Sequence, residues 1–183
     1  MAKSKKGFTI IEVVLVLAIA GLIFLMVFIA LPALQRSQRN TQREDDISRI
    51  LTAANDYQTN NHGKTPFNKE GGNKGVDKNF VKRYIDDTCT SYDDNDGYGC
   101  TGDEMRDPDG TNYNMDGNTS IKDSGNDDSV IDATNFSDAK HTIHAITYAT
   151  CGDENQAVKG TGERQYALFY MLEGNSITCN DNH

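Results

Sequence analysis

Glu12 is the residue whose chemistry needs an account first. It lies in a stretch from Phe8 to Leu34 in which nearly every side chain is apolar. An ionised acid at the centre of such a segment costs roughly 2.5–3.5 kcal/mol on insertion scales, and less toward an end. The carboxylate can snorkel to a headgroup layer, or it can meet a cation. A cut after Gly7 would create that cation, an amino group on Phe8 four residues before the acid, able to pair with its own carboxylate or with that of a neighbouring helix. The other reactive types lie downstream. Cys89, Cys100, Cys151 and Cys179 form an even set that suggests two disulfides outside the cytoplasm, with three pairings open. His141 and His144 share a helix face or a strand end, but no third ligand accompanies them, so zinc is not expected. No phosphate loop, nucleotide fingerprint or nucleophile motif appears, no catalytic residue is nominated, and the chain is read as not an enzyme.

The elements that carry these residues follow from composition. The chain has 183 residues, 37% of them hydrophobic, and much of that share is concentrated before Leu34. The remainder has a thin supply of core side chains, which argues against a large globular enzyme. The net charge is -9, a sign that repels phosphates and argues against nucleic-acid binding. From Val13 to Leu34 no residue is charged, a length of about 33 Å as helix, enough to cross a bilayer. It is longer than the core of a secretory signal peptide. Lys3, Lys5 and Lys6 on one side face Arg36, Arg39 and Arg43 on the other, so charge alone leaves orientation open, and the cysteines and acidic remainder favour placing the C-terminal part outside. Gly21 and Pro32 are weak points of this helix.

Beyond Leu34 the sequence turns polar but keeps an apolar stripe at Ile47, Ile50, Leu51, Ala54 and Tyr57, so the helix continues to about Asn60 with one face covered. Gly63 suits its C-cap and Pro66 prevents continuation. Val76, Phe80, Val81, Tyr84 and Ile85 predict a short amphipathic helix with Asp77 as N-cap. From Asp86 to Asp138 there are 14 Asp and one Glu against only Arg106 and Lys122. Asp96-Gly97, Asp109-Gly110 and Asp116-Gly117 read as turns. A stretch so poor in apolar residues must be held by something. A Cys89–Cys100 bridge would close one loop. Calcium would hold another if Gly117 is aligned with the glycine of a calcium loop, which puts Asn112, Asn114, Asp116 and Asp123 at ligand positions; Asp93, Asp94 and Asp96 before Gly97 form a weaker set. Asn118-Thr119-Ser120 and Asn135-Phe136-Ser137 fit glycosylation sequons. At the C-terminus, residues 143–151 and 164–172 predict antiparallel strands, with Tyr166, Leu168 and Tyr170 alternating against Ala167, Phe169 and Met171. Residues 173–176 turn into a short strand, 177–179, which makes a hairpin. Cys151 and Cys179 end two of these strands, and their pairing would staple the sheet.

Lys5-Lys6-Gly7-Phe8-Thr9-Ile10-Ile11-Glu12, followed by an unbroken apolar helix, resembles the class III signal of type IV prepilins and pseudopilins. Residues 60–66, Asn-Asn-His-Gly-Lys-Thr-Pro, are similar to the end of the first helix in many members. The resemblance implies an α+β ladle or lollipop fold: a leader (1–7), a transmembrane or filament-core helix (8–34), its amphipathic extension (35–62) and a globular head (63–183). The head would consist of an acidic loop-rich region (63–140) and a small antiparallel sheet (141–183). It implies cleavage between Gly7 and Phe8 by a prepilin peptidase, N-methylation of Phe8, and pairing of Glu12 with the Phe8 amine of an adjacent subunit, which sets axial register. It also implies loss of helicity between positions such as Gly21 and Pro32 on assembly, and a C-terminal disulfide loop that pins the tail. The expected function is a structural subunit of an extracellular type IV pilus supporting adhesion, twitching motility or DNA uptake. The expected partners are other copies of the chain, the peptidase, an assembly platform and the cytoplasmic membrane. A secretion-system pseudopilin and a non-polymerising membrane-anchored binding module are the alternatives.

Overall fold

One helix carries two unlike surfaces. α1 runs from Ile10 to Asn60 without a break. The computed structural model describes residues 7–67, 75–89, 92–93, 97–98, 102, 106–121, 130–132, 141–153 and 156–182, and the chain divides into two units, Met1–Gln38 and Arg39–His183. In the first unit the apolar side chains point outward; Leu17, Phe24 and Phe28 are all more than half exposed. That part of α1 is long and apolar enough to cross a membrane. In the second unit Arg43, Ile47, Ile50, Ala54 and Tyr57 recur every three or four residues and are buried, so the stripe read from the sequence is the packed face.

The helix ends one residue differently from expectation. Gly63 N–H reaches the Gln58 carbonyl at 2.8 Å, and His62 between them takes a left-handed φ of 57°. This is a Schellman-type end in which histidine, not Gly63, holds the first left-handed position. Next, α2 (Lys78–Phe80) starts at the expected cap, with Asp77 Oδ1 accepting the Asn79 N–H at 2.7 Å. It runs into a wider turn, Val81–Ile85, closed by the Asp86 N–H on the Val81 carbonyl. Phe80 packs edge-on against Tyr57 and Phe67.

Among the described residues nine strands follow: β1 (Tyr92–Asp93), β2 (Gly97–Tyr98), β3 (Asn114–Ser120), β4 (Val130–Asp132), β5 (Thr142–Thr147), β6 (Ala149–Cys151), β7 (Gln156–Lys159), β8 (Tyr166–Met171) and β9 (Ile177–Asp181). β1 and β2 pair as a small ribbon. The main sheet has the order β3-β5-β8-β9, and a second sheet has the order β4-β7-β6. The β8–β9 hairpin is the one expected. The alternation in β8 is also as read: Tyr166, Leu168 and Tyr170 join the core with α1, while Ala167 and Phe169 join a second core with Ile146, Ala149 and Ala157.

Three expectations change. The main sheet is mixed, because β3 from the acidic region pairs parallel to β5. Asp116-Gly117 is therefore not a turn but the middle of β3. Gly117 is required there by close approach, since a Cβ would lie 2.5 Å from the Gly75 carbonyl oxygen. The expected single strand over 143–151 is two strands, broken at Tyr148 with φ 60°. The Tyr148 N–H bonds to Gln165 and its carbonyl accepts from Gly160, so the chain passes from one sheet to the other with its backbone satisfied.

Candidate functional site

At the N-terminal end, Gly7, Phe8 and Thr9 are non-helical and α1 begins at Ile10. Among the described residues nothing lies within 4 Å of a Cβ built on Gly7, and Phe8 is exposed. Glu12 does not stand alone. Its Oε2 accepts the Thr9 N–H and the Thr9 hydroxyl, both at 2.8 Å, while the Glu12 N–H approaches Thr9 Oγ1 at 3.4 Å. This is a capping box, with threonine at the N-cap and glutamate three residues on. It fixes where the helix starts and gives the acid a partner within its own chain. Sequence reasoning missed Thr9, although Thr-x-x-Glu before an apolar run is the signal for it. α1 continues through both Gly21 and Pro32.

In the second unit a buried ion-pair network ties Asp107 of the acidic segment to α1. Arg43 grips Asp107 with two bonds, Nε to Oδ2 at 2.8 Å and Nη2 to Oδ1 at 2.7 Å; the side chains are 4% and 0% exposed. Arg43 Nη1 also reaches Glu173 Oε1 at 3.0 Å, and Arg39 takes the same carboxylate from the side with Nε at 2.5 Å and Nη2 at 2.8 Å. The Tyr170 hydroxyl donates to Asp107 Oδ2 at 2.6 Å, and Asn40 bonds the Glu173 backbone through both its amide nitrogen and its oxygen. Burial pushes the Asp107 carboxyl up, but the hydrogen bonds from Arg43, Tyr170 and the Asp109 amide outweigh it and hold the group at about 2. The hydrogen bond from Arg39 does the same for Glu173, also to about 2. Burial raises Tyr57, which donates to Asp77, to about 12. The arginines carried no such signal in the sequence; their partners lie more than 60 residues away.

The comparisons bear on the N-terminal arrangement. Residues 2–28 match the family model described as the prokaryotic N-terminal methylation motif. This segment is the type IV prepilin signal. No curated protein and no solved structure matches the chain. With the apolar helix, the prepilin signal fits a membrane-anchored precursor that is later assembled into an extracellular filament of the pilus type, and the fold of the described residues is α+β and pilin-like. The signal supports a pilin or pseudopilin-type substrate and implies processing by prepilin peptidase.

The remaining sites predicted from the sequence lie downstream of the prepilin signal. Cys151 and Cys179 are bonded, joining β6 to β9 and so one sheet to the other, not two strands of one sheet. Cys89 is buried and disulfide-bonded; its expected partner Cys100 lies outside the described residues. Of the calcium positions, Asn112 sits at an isolated bridge opposite Arg106, Asn114 and Asp116 lie on β3, and Asp123 is outside the described residues. Asn114 and Asp116 thus lie two residues apart on a strand, on one face of its pleat, and not in the expected loop. Of the weaker set, Asp93 is on β1 and Gly97 on β2, with Asp94 and Asp96 outside the described residues. Leader residues 1–6 and the Asn135 sequon are likewise outside them. Asn118 to Ser120 ends β3.

Proposed function

We propose that the chain is a structural subunit of an extracellular type IV pilus. The observation that carries this is the prepilin signal running directly into a helix whose large apolar side chains, from Phe8 to Leu34, are exposed among the described residues. Lipid covers them in the precursor, and the same helices of neighbouring subunits cover them in the filament. Burial from water favours both states at about 25 cal/mol per Å², so transfer between them is close to balanced, which suits a filament that can be built and withdrawn. Register then falls to Glu12. In the unassembled chain its carboxylate rests on Thr9. Cleavage after Gly7 creates a cationic amine at Phe8, and a charged donor outbids neutral ones for a carboxylate in an apolar bundle. A subunit gains that ion pair at one axial position only, and adhesion or motility are properties of the assembled fibre. Electron microscopy of sheared surface material, with mass spectrometry of its N-terminus, tests the reading. Filaments whose subunits start at methylated Phe8 support it. Subunits that retain Met1, or a Glu12→Gln chain that assembles as well as the original, overturn it.

A further inference from the structure

A different set of side chains meets at the turn from Asp107 to Gly110. The turn is closed by the Gly110 N–H on the Asp107 carbonyl at 2.8 Å, with Gly110 at φ 93°. His141, just before β5, takes a left-handed φ of 64°, and its carbonyl accepts the Asn114 N–H at 2.7 Å. That backbone places the imidazole between two aspartates. Nε2 lies 3.4 Å from Asp109 Oδ2, and Nδ1 lies 3.7 Å from Asp107 Oδ2. One ligand-type atom from each of the three residues falls within 4.8 Å of the others. Nδ1 is buried and has no hydrogen-bond partner among the described residues.

We propose that His141 Nε2 and Asp109 Oδ2 bind a borderline divalent transition-metal ion of the zinc type, with Asp107 orienting the imidazole from its Nδ1 side. The spacing carries the argument. Two ligands about 2.1 Å from a tetrahedral metal lie about 3.4 Å apart, whereas a direct N–H···O bond prefers about 2.7–3.2 Å. The surroundings are those of a held ligand pair. Asp109 Oδ1 is occupied by the Thr111 N–H and hydroxyl at 2.9 and 2.7 Å, which leaves Oδ2 facing the ring. Asp107 is fixed by Arg43 and Tyr170 and faces Nδ1 at 3.7 Å, the side from which a carboxylate orients a metal-bound imidazole. Nitrogen ligation selects zinc-type ions over calcium, and water would fill the remaining positions.

Titration of zinc chloride into the full, untagged chain in detergent, followed calorimetrically, tests this. Near-UV circular dichroism of the tyrosines reports that each variant is folded. One ion per chain is expected. His141→Asn, which tolerates the left-handed backbone, and Asp109→Asn should each weaken binding at least about tenfold, while His144→Gln and His183→Gln leave it unchanged. Undiminished zinc binding in folded His141→Asn or Asp109→Asn protein, loss of binding in His183→Gln, or displacement of zinc by calcium chloride overturns the proposal.

Discussion

Replacing Arg43 by Met keeps the apolar stem of the side chain and removes the guanidinium from a site where the partner, Asp107, is 0% exposed. Asp107 then keeps the Tyr170 hydroxyl and the Asp109 N–H but loses the guanidinium that pairs with it. Removing one member of a buried ion pair costs about 3–5 kcal/mol, because the remaining charge is stranded in a low dielectric. At about 2 cal/mol/K of unfolding entropy per residue, a unit of roughly 145 residues loses about 3 °C per kcal/mol, so the melting temperature should fall by about 10–15 °C. Near-UV circular dichroism on the full chain in detergent reads this cleanly, since the chain has no Trp and all eight Tyr lie from Tyr57 onward. The companion is Arg43→Met with Asp107→Asn, where the neutral amide still accepts from Tyr170 and from the backbone. It should recover about half of the loss. A fall below about 3 °C for Arg43→Met, or a double variant no better than the single one, would refute the claim that a stranded charge is what destabilises.

Other outcomes follow from the same geometry. Cys151→Ala with Cys179→Ala opens a loop with a separation of 28 residues, for which chain entropy gives a loss of about 3–4 kcal/mol, measurable by urea unfolding. Tyr57 is raised from 10 to about 12 by burial and its bond to Asp77, so it contributes stability that is complete below pH 10 and is lost as pH climbs toward 12; Tyr57→Phe should make alkaline unfolding shallower over that window. Glu173, lowered to about 2 by Arg39, works in the opposite sense, with its contribution present above about pH 4.5 and lost on acidification through pH 2; in Glu173→Gln protein the acid limb should move less. Thr9→Val removes the hydroxyl from the capping box, and helix N-caps are worth about 1 kcal/mol, so amide exchange at residues 10–13 should speed up while exchange in β8 stays the same; equal acceleration at both would contradict a local role.

The sequence by itself determined what rests on local pattern. Gly7, Phe8 and Glu12 at fixed spacing before an uncharged run lie in the matched prepilin signal and lead into a membrane-length helix, because a linear motif and apolar transfer both depend on contiguous residues. The stripe from Ile47 to Tyr57, the Asp77 cap and the alternation in β8 were legible for the same reason: helix and strand periods of 3.6 and 2 are written along the chain. Thr9 was legible too and was missed. What only the tertiary structure decided are the meetings between distant segments. Nothing near Asp107 distinguishes it from thirteen other aspartates of the acidic stretch until folding sets it against Arg43. β3 has few of the residue types that favour strands, and it becomes one by lying alongside β5. His141 acquires a carboxylate on each side of its ring in the same way. Such contacts depend on which backbone surfaces are brought together, and that information is spread over the whole fold.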